Sequence, residues 1–411
     1  MKALLVLAFS LLHWVAFAAV APPTIQWKCG KPYADGFVVT KQTGDGGYIL
    51  AGDIHDARDN VDFNILRLDA NGGVLWQKTG GSYEVRYDDY VADITPVSGG
   101  GFVAFIKSAS GLTSLDPNKT DGSFGNDDCW VIRLDPDGNT LWDHTFGASG
   151  ADHPVQIEQL PDNGFAFTAY FFDGTGGNRS STNHGLFDWW FVRLDASGNK
   201  VFERSFGGTG DDSLTKFIRT SDGGFLLVGQ SGSPVSGNKT SPQYGQHDIW
   251  VVRLDGKGTK LWDRTFGGTE HDWAADAWET NGYFVVAGMS YSGISGNKTN
   301  AATGGWLLGL DRNGTKLWER AVAENECANA VEYPLLPRLD AARQTAASIN
   351  NPGFRFALTG FPSLTYVIER SSDLTVWQPF KTNTLINSRV EIVDFSAAGS
   401  PRAFYRARAL P

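Results

Sequence analysis

Residues 249–268 read IWVVRLDGKGTKLWDRTFGG: two apolar runs of strand length either side of a four-residue turn containing glycine. Such a turn signals a hairpin, because glycine supplies the positive φ that tight strand connections require. The stretch recurs. LRLDANGGVLW, IRLDPDGNTLW, VRLDASGNKVF, VRLDGKGTKLW and LGLDRNGTKLW place their aspartates at 69, 135, 195, 255 and 311, with spacings of 66, 60, 60 and 56. A second unit alternates with the first: GDGGYILAG at 44–52, SGGGFVAF at 98–105, PDNGFAFTA at 161–169, SDGGFLLVG at 221–229 and TNGYFVVAG at 280–288. Each period reads as four strands. In the fourth copy these are A over 213–220, B over 224–229, C over 249–254 and D over 260–266, with a long B–C link and a short D–A crossover, FGGTGDD. Four-stranded antiparallel sheets at this period predict an all-β chain folded as a β-propeller, each sheet burying its faces against its neighbours. An up-and-down solenoid is the competing arrangement.

The simplest count is five blades. Trp27 stands in the D-strand column before the first complete blade, and residues 327–335 occupy an A-strand position after the last, so a sixth, composite blade is the alternative. Composition agrees with short strands and tight turns. Glycine supplies 49 of 411 residues, well above the usual ~7%. The absence of a sustained 3.6-residue apolar period argues against helical bundles and coiled coils. A net charge of −10, with no Lys or Arg run, disfavours nucleic acid as a partner.

Residues 1–18 read as a secretory signal peptide: one basic residue, an apolar run, then small residues before a cleavage point after Ala18. The expected location is therefore secreted, periplasmic or cell-surface, with no membrane span once the signal is removed. Cys29, Cys129 and Cys327 allow at most one intramolecular disulfide, and no CxxC metal spacing occurs.

The repeat resembles a bacterial secreted propeller repeat of the type WvvrLDxxGnxLWxxtfGGxxxDxxxxixxtxDGGfxxxG, over about 24–335. That resemblance implies the fold and leaves activity open. The C-terminal segment 351–411, behind a linker at 336–350, resembles a small terminal β-domain of secreted proteins of the Verrucomicrobia type. The residues that carry this likeness are Ser372, Asp373, Leu374, Trp377, Asp394, Phe404, Tyr405 and Arg406, and a β-sandwich-like domain is expected there.

Strand direction sorts the connections. A–B and C–D hairpins lie at one end of each blade, and B–C loops with D–A crossovers lie at the other. The B–C loops share N-[KR]-[ST]-x4-G-x2-D-x-W, from Asn118 to Trp130, Asn178 to Trp190 and Asn238 to Trp250, with a shorter copy from Asn297 to Trp306. Their Asn and Asp are expected to hold each loop shut through turn hydrogen bonds. A carboxylate begins each A strand: Asp35, Asp89, Asp152, Asp212 and Asp272. Two readings apply. Either each accepts N–H groups of its own crossover, or the five ring one mouth of the central channel and hold a hard cation such as Ca²⁺. Tryptophans repeat in the C column (Trp130, Trp190, Trp250, Trp306) and the D column (Trp27, Trp76, Trp142, Trp262, Trp318), as expected of packing residues between blades. Trp273 stands outside these columns, where other blades carry Tyr90, His153 and Ser213. With His153, His247 and His271 on the same end, it is the candidate ligand contact.

Three functions fit this pattern. The first is a non-catalytic binding protein that takes a polysaccharide or surface protein on its B–C loop face. The second is a glycoside hydrolase or lyase, which would need two carboxylates set apart by environment; the carboxylates here recur symmetrically. The third is a structural surface protein without a ligand. Binding is the favoured reading, with catalytic residues none.

Overall fold

The computed structural model describes residues 36–55, 61–81, 88–109, 119–172, 174, 176–280, 282–322, 338–340, 354–359, 365–371, 378–384, 389–394 and 404–409. Five four-stranded antiparallel sheets follow one another, each in simple order from first strand to last. The first comprises β1 (Gly36–Gln42), β2 (Tyr48–His55), β3 (Val61–Leu68) and β4 (Val74–Gly80). The second holds β5 (Asp89–Pro96), β6 (Phe102–Ser108), β7 (Asp128–Leu134) and β8 (Thr140–Phe146). The third holds β9 (Ala151–Gln159), β10 (Phe165–Phe172), β11 (Phe187–Leu194) and β12 (Lys200–Phe206). The fourth holds β13 (Asp212–Arg219), β14 (Phe225–Ser231), β15 (Asp248–Leu254) and β16 (Lys260–Phe266). The fifth holds β17 (Asp272–Thr280), β18 (Tyr283–Ser290), β19 (Gly304–Leu310) and β20 (Lys316–Val322). The chain is all-β and propeller-like. Trp27 and residues 327–335, on which the count of five or six turned, lie outside the described residues, as do residues 1–18.

The hairpin end of each of the first four blades is fixed by an Asp and an Arg, as the fourth shows; in the fifth, Gly309 stands at the Arg position. Asp255 Oδ1 accepts the N–H groups of Lys257 and Thr259 at 2.9 and 2.8 Å, closing the β15–β16 turn. Gly258 in that turn has φ 76°, and a Cβ there would fall 2.4 Å from the Phe202 ring of the preceding blade, so no other residue fits. Arg253 reaches back from β15 to the Phe225 carbonyl at 3.0 Å and to both Asp222 oxygens at 2.6 Å, locking one hairpin to the other.

Apolar clusters fill the four junctions between successive sheets. The C-column tryptophans are buried and face the preceding blade. Trp130 meets Phe63 edge-on at 5.6 Å, and Trp250 meets Trp189 at 4.4 Å. The D-column tryptophans are half-buried and face the following blade: Trp76 lies against Phe102, Trp142 against Phe165 and Trp262 against Phe284. Cys129 is a free thiol, fully buried, and burial raises its pKa well above the usual range. Any disulfide is therefore left to Cys29 and Cys327, both outside the described residues.

The C-terminal part contains two three-stranded sheets. One pairs β21 (Arg338–Asp340) with β22 (Phe354–Thr359) and β25 (Arg389–Asp394); the other centres β23 (Thr365–Ser371) between β24 (Gln378–Thr384) and β26 (Phe404–Ala409). Within the linker expected at 336–350, only residues 338–340 are among those described. Arg338–Asp340 pairs antiparallel with Ala357–Thr359, which gives its backbone groups a ladder that a free linker lacks. Tyr405 and Asp394, both among the residues carrying the likeness, are joined by a 2.6 Å hydrogen bond from the buried Tyr405 hydroxyl. Ser372, Asp373, Leu374 and Trp377 lie outside the described residues.

Candidate functional site at the loop-bearing end of the blades

The B–C loop motif works as a latch between blades. Asn238 accepts the Gly207 N–H at 3.0 Å and donates to the Ser205 carbonyl at 2.8 Å, so the loop of the fourth blade grips the last strand of the third. Asn178 and Asn297 repeat both bonds, at Gly147 with Thr145 and at Gly267 with Thr265. Asn118 lies outside the described residues. The hydroxyl residue of the motif ties the loop to its own D strand. Thr240 and Ser241 bond Asp263, which also accepts the Trp250 indole N–H at 3.1 Å and pairs with Lys260 at 2.9 Å. Burial opposes the Asp263 charge, but bonds from Thr240, Lys260, Ser241 and Trp250 outweigh it and hold the carboxyl well below its usual range. The basic residue of the motif turns inward: buried Lys239 donates to the carbonyls of Ser241 and Pro242.

Beneath these loops the strand-initial aspartates are buried in the junctions. Asp89, Asp152, Asp212 and Asp272 are all fully covered, while Asp35 lies outside the described residues. Asp212 accepts the Gly208 N–H and the Ser233 hydroxyl, each at 2.8 Å; Asp272 accepts Gly268 N–H at 2.9 Å and Ser292 at 2.8 Å; Asp152 accepts Ala148 N–H at 2.8 Å and faces Arg179 at 3.4 Å. Each of the three shares its junction with a second buried carboxylate, the aspartate of the loop motif. A Cβ on Gly207 would fall 1.7 Å from an Asp188 oxygen and 3.0 Å from an Asp212 oxygen, and Gly267 stands in the same way between Asp248 and Asp272. The crossover glycines are therefore demanded by the carboxylates packed against them. One oxygen each of Asp188, Asp248 and Asp272 has no hydrogen-bond partner. Burial, with the neighbouring carboxylate adding to it, pushes Asp188 up to about 7 and Asp248 to about 6, and Asp152 likewise rises to about 7. Among the described residues, no three His, Cys, Asp or Glu side chains gather into a group able to hold a metal ion.

One position per blade breaks the repetition. In the second to fifth blades it is the residue after the aspartate at the start of strand A, with its cross-strand partner on B: Tyr90 with Lys107, His153 with Tyr170, Ser213 with Gln230 and Trp273 with Met289. The Lys107 ammonium sits 4.7 Å over the Tyr90 ring, and His153 stacks on Tyr170 at 4.9 Å with Phe187 beside it at 6.1 Å. In the last blade Trp273 is 37% exposed and meets Tyr291 edge-on at 5.4 Å.

Of the four predicted ligand contacts, three come together. His247 and His271 face each other across the fourth-to-fifth crossover, Nδ1 to Nδ1 at 3.2 Å, with their backbones bridged and the Asp272 N–H bonded to the His247 carbonyl at 2.7 Å. Trp273 lies 6.0 Å from the His271 ring. His153 stands apart, in the third blade. Burial, and then the proximity of His271, depress the basicity of His247; burial depresses that of His153. Sequence reasoning missed Met289 and Tyr291, whose signal was available: they stand at the end of strand B and just after it in the one blade that carries Trp273 where the others have a smaller residue.

No family model matches the chain. Over 121 residues it is 30% identical to the regulatory protein FlaEY of Caulobacter vibrioides, a stretch covering 28% of this chain and 13% of that protein. The chain thus spans a small fraction of the length of the curated relative it matches. Among solved structures it is similar to a protein of unknown function from Bacteroides caccae, at 10% identity and TM-score 0.35, over 76% of this chain and 82% of that one. It is also similar to a puromycin-hydrolysing peptidase of Mycobacterium tuberculosis, at 11% identity and TM-score 0.38, over 79% and 43%. Neither likeness bears on activity. Among the described residues no helix is long and apolar enough to cross a membrane.

Proposed function

We propose that the protein is a non-catalytic, secreted or cell-surface binding protein that takes a polysaccharide or protein partner on the loop-bearing end of its blades. One observation carries this reading. The latches, hairpin clamps and junction carboxylates recur from blade to blade, whereas the Tyr90, His153, Ser213 and Trp273 column at the loop end differs in every blade and holds three ring-bearing side chains. Residues that only pack have no reason to differ where the surrounding geometry repeats; residues that contact an irregular ligand do. The signal-like residues 1–18 support export.

The test is affinity electrophoresis through gels containing soluble polysaccharides. The expected result is retardation of the wild type and free migration of the combined Tyr90→Ala, His153→Ala, Trp273→Ala variant, whose melting temperature stays within a few degrees. Equal retardation of the two proteins would overturn the reading.

A further inference from the structure

We infer that the junction of the fourth and fifth blades is a subsite for one pyranose unit of an uncharged polysaccharide, stacked on Trp273; this inference rests on the loop-end reading above. The floor is apolar and small. Trp273 and Met289 are cross-strand neighbours, 37% and 41% exposed, and Tyr291, 47% exposed, stands at 71° to the indole and forms a wall. Beyond Met289 the next strand places Gly305, which adds no side chain to the floor. A pyranose presents just such a pair of surfaces, a C–H face that stacks on an aromatic ring and a rim of hydroxyls that requires donors and acceptors.

The rim is supplied by the histidine pair. With Nδ1 facing Nδ1 at 3.2 Å, one neutral imidazole donates to the other. The donor of that bond keeps an acceptor at Nε2, and its acceptor keeps a donor N–H at Nε2. Whichever way the proton lies, the pair carries one donor and one acceptor, the complement of vicinal hydroxyls.

Charge selects against acidic sugars. Asp211 acts on His247, Glu270 precedes His271 in the crossover, and the whole chain carries −10. Size selects against a protein partner at this point, since a stable protein interface engages about 20–30 residues a side and this floor is three side chains.

The test uses the full mature chain in gels containing xylan, mixed-linkage β-glucan or galactomannan, with polygalacturonate as the anionic probe. Retardation is expected in at least one neutral gel and not in polygalacturonate. Trp273→Ala should weaken that retardation at least tenfold and Tyr291→Ala several-fold, while Phe172→Ala, exposed on the third blade, leaves it unchanged. Trp273→Phe should restore most of it, which a merely structural role for the indole would not require. Retardation by polygalacturonate alone, or none in any neutral gel, overturns the inference. Full retardation of Trp273→Ala, with loss only in the variant combining Tyr90, His153 and Trp273, also overturns the subsite but leaves the loop-end reading standing. Retention even in the combined variant removes both.

Discussion

Trp250 and Trp273 lie 23 positions apart in the chain and belong to different kinds of structure. Trp250 repeats as Trp130, Trp190 and Trp306, is fully buried, and has its indole N–H held by Asp263. Trp273 repeats nowhere, is 37% exposed, and meets His271 and Tyr291 rather than a junction core. In a chain built from copies, a recurring residue is explained by geometry that also recurs. A residue that departs from the copies needs another cause.

The largest effect expected from breaking this contrast is at the core. Trp250→Ala removes a buried ring packed 4.4 Å from Trp189 and should destabilise the propeller by about 3–5 kcal/mol, read from urea unfolding. A loss of less than about 1 kcal/mol would move the C-column tryptophans out of the junction account. Next comes the latch. Asn238→Ala strips partners from the Gly207 N–H and the Ser205 carbonyl, at an expected cost of about 1–3 kcal/mol. An unchanged unfolding midpoint would show that the loop does not hold the two blades together.

The paired carboxylates predict a pH dependence. Asp152, Asp188 and Asp248 have folded-state pKa values of about 7, 7 and 6, above the ordinary 3.8 of an unfolded carboxyl. The stability they contribute is therefore fully present below about pH 4 and is lost as pH rises through 6 to 7. Melting temperature, followed from pH 5 to 8, should fall by several degrees. Asp188→Asn, which keeps an acceptor for the His184 N–H and removes the charge, should flatten that fall and raise stability at pH 8. A steeper fall in the variant would contradict the buried-pair account, as would a wild-type curve that rises from pH 6 to 8.

Much of this was legible because it is local or periodic. The D strand expected over 260–266 is β16, and the LDxxG turns close through Asp255 and its equivalents, as short-range turn chemistry dictates. The loop motif was visible too, with its Asn and Asp expected to hold the loop. What the spacing did not show is where the Asn points: Asn238 bonds to the preceding blade, a contact across 31 positions set by how sheets stack. The same limit applies to the acids. Asp212 was seen as one of five similar residues, but its partnership with Asp188 depends on a crossover glycine that admits two carboxylates at once. His247 and His271 share no motif, and only the crossover brings their rings together. Residues 338–340, an Arg-Leu-Asp triplet between Pro337 and Ala341, are too short to carry a strand pattern and pair with β22.

The central claim, that recurring residues build the protein and the departing ones bind, is tested most directly by measuring Trp250→Ala and Trp273→Ala side by side. Each is unfolded in urea and run through neutral-polysaccharide gels. The account predicts opposite losses: Trp250→Ala loses stability by several kcal/mol and binds normally in its folded fraction, whereas Trp273→Ala unfolds within about 0.5 kcal/mol of the wild type and is no longer retarded. Trp273→Ala that unfolds early, or that migrates as slowly as the wild type, would contradict it.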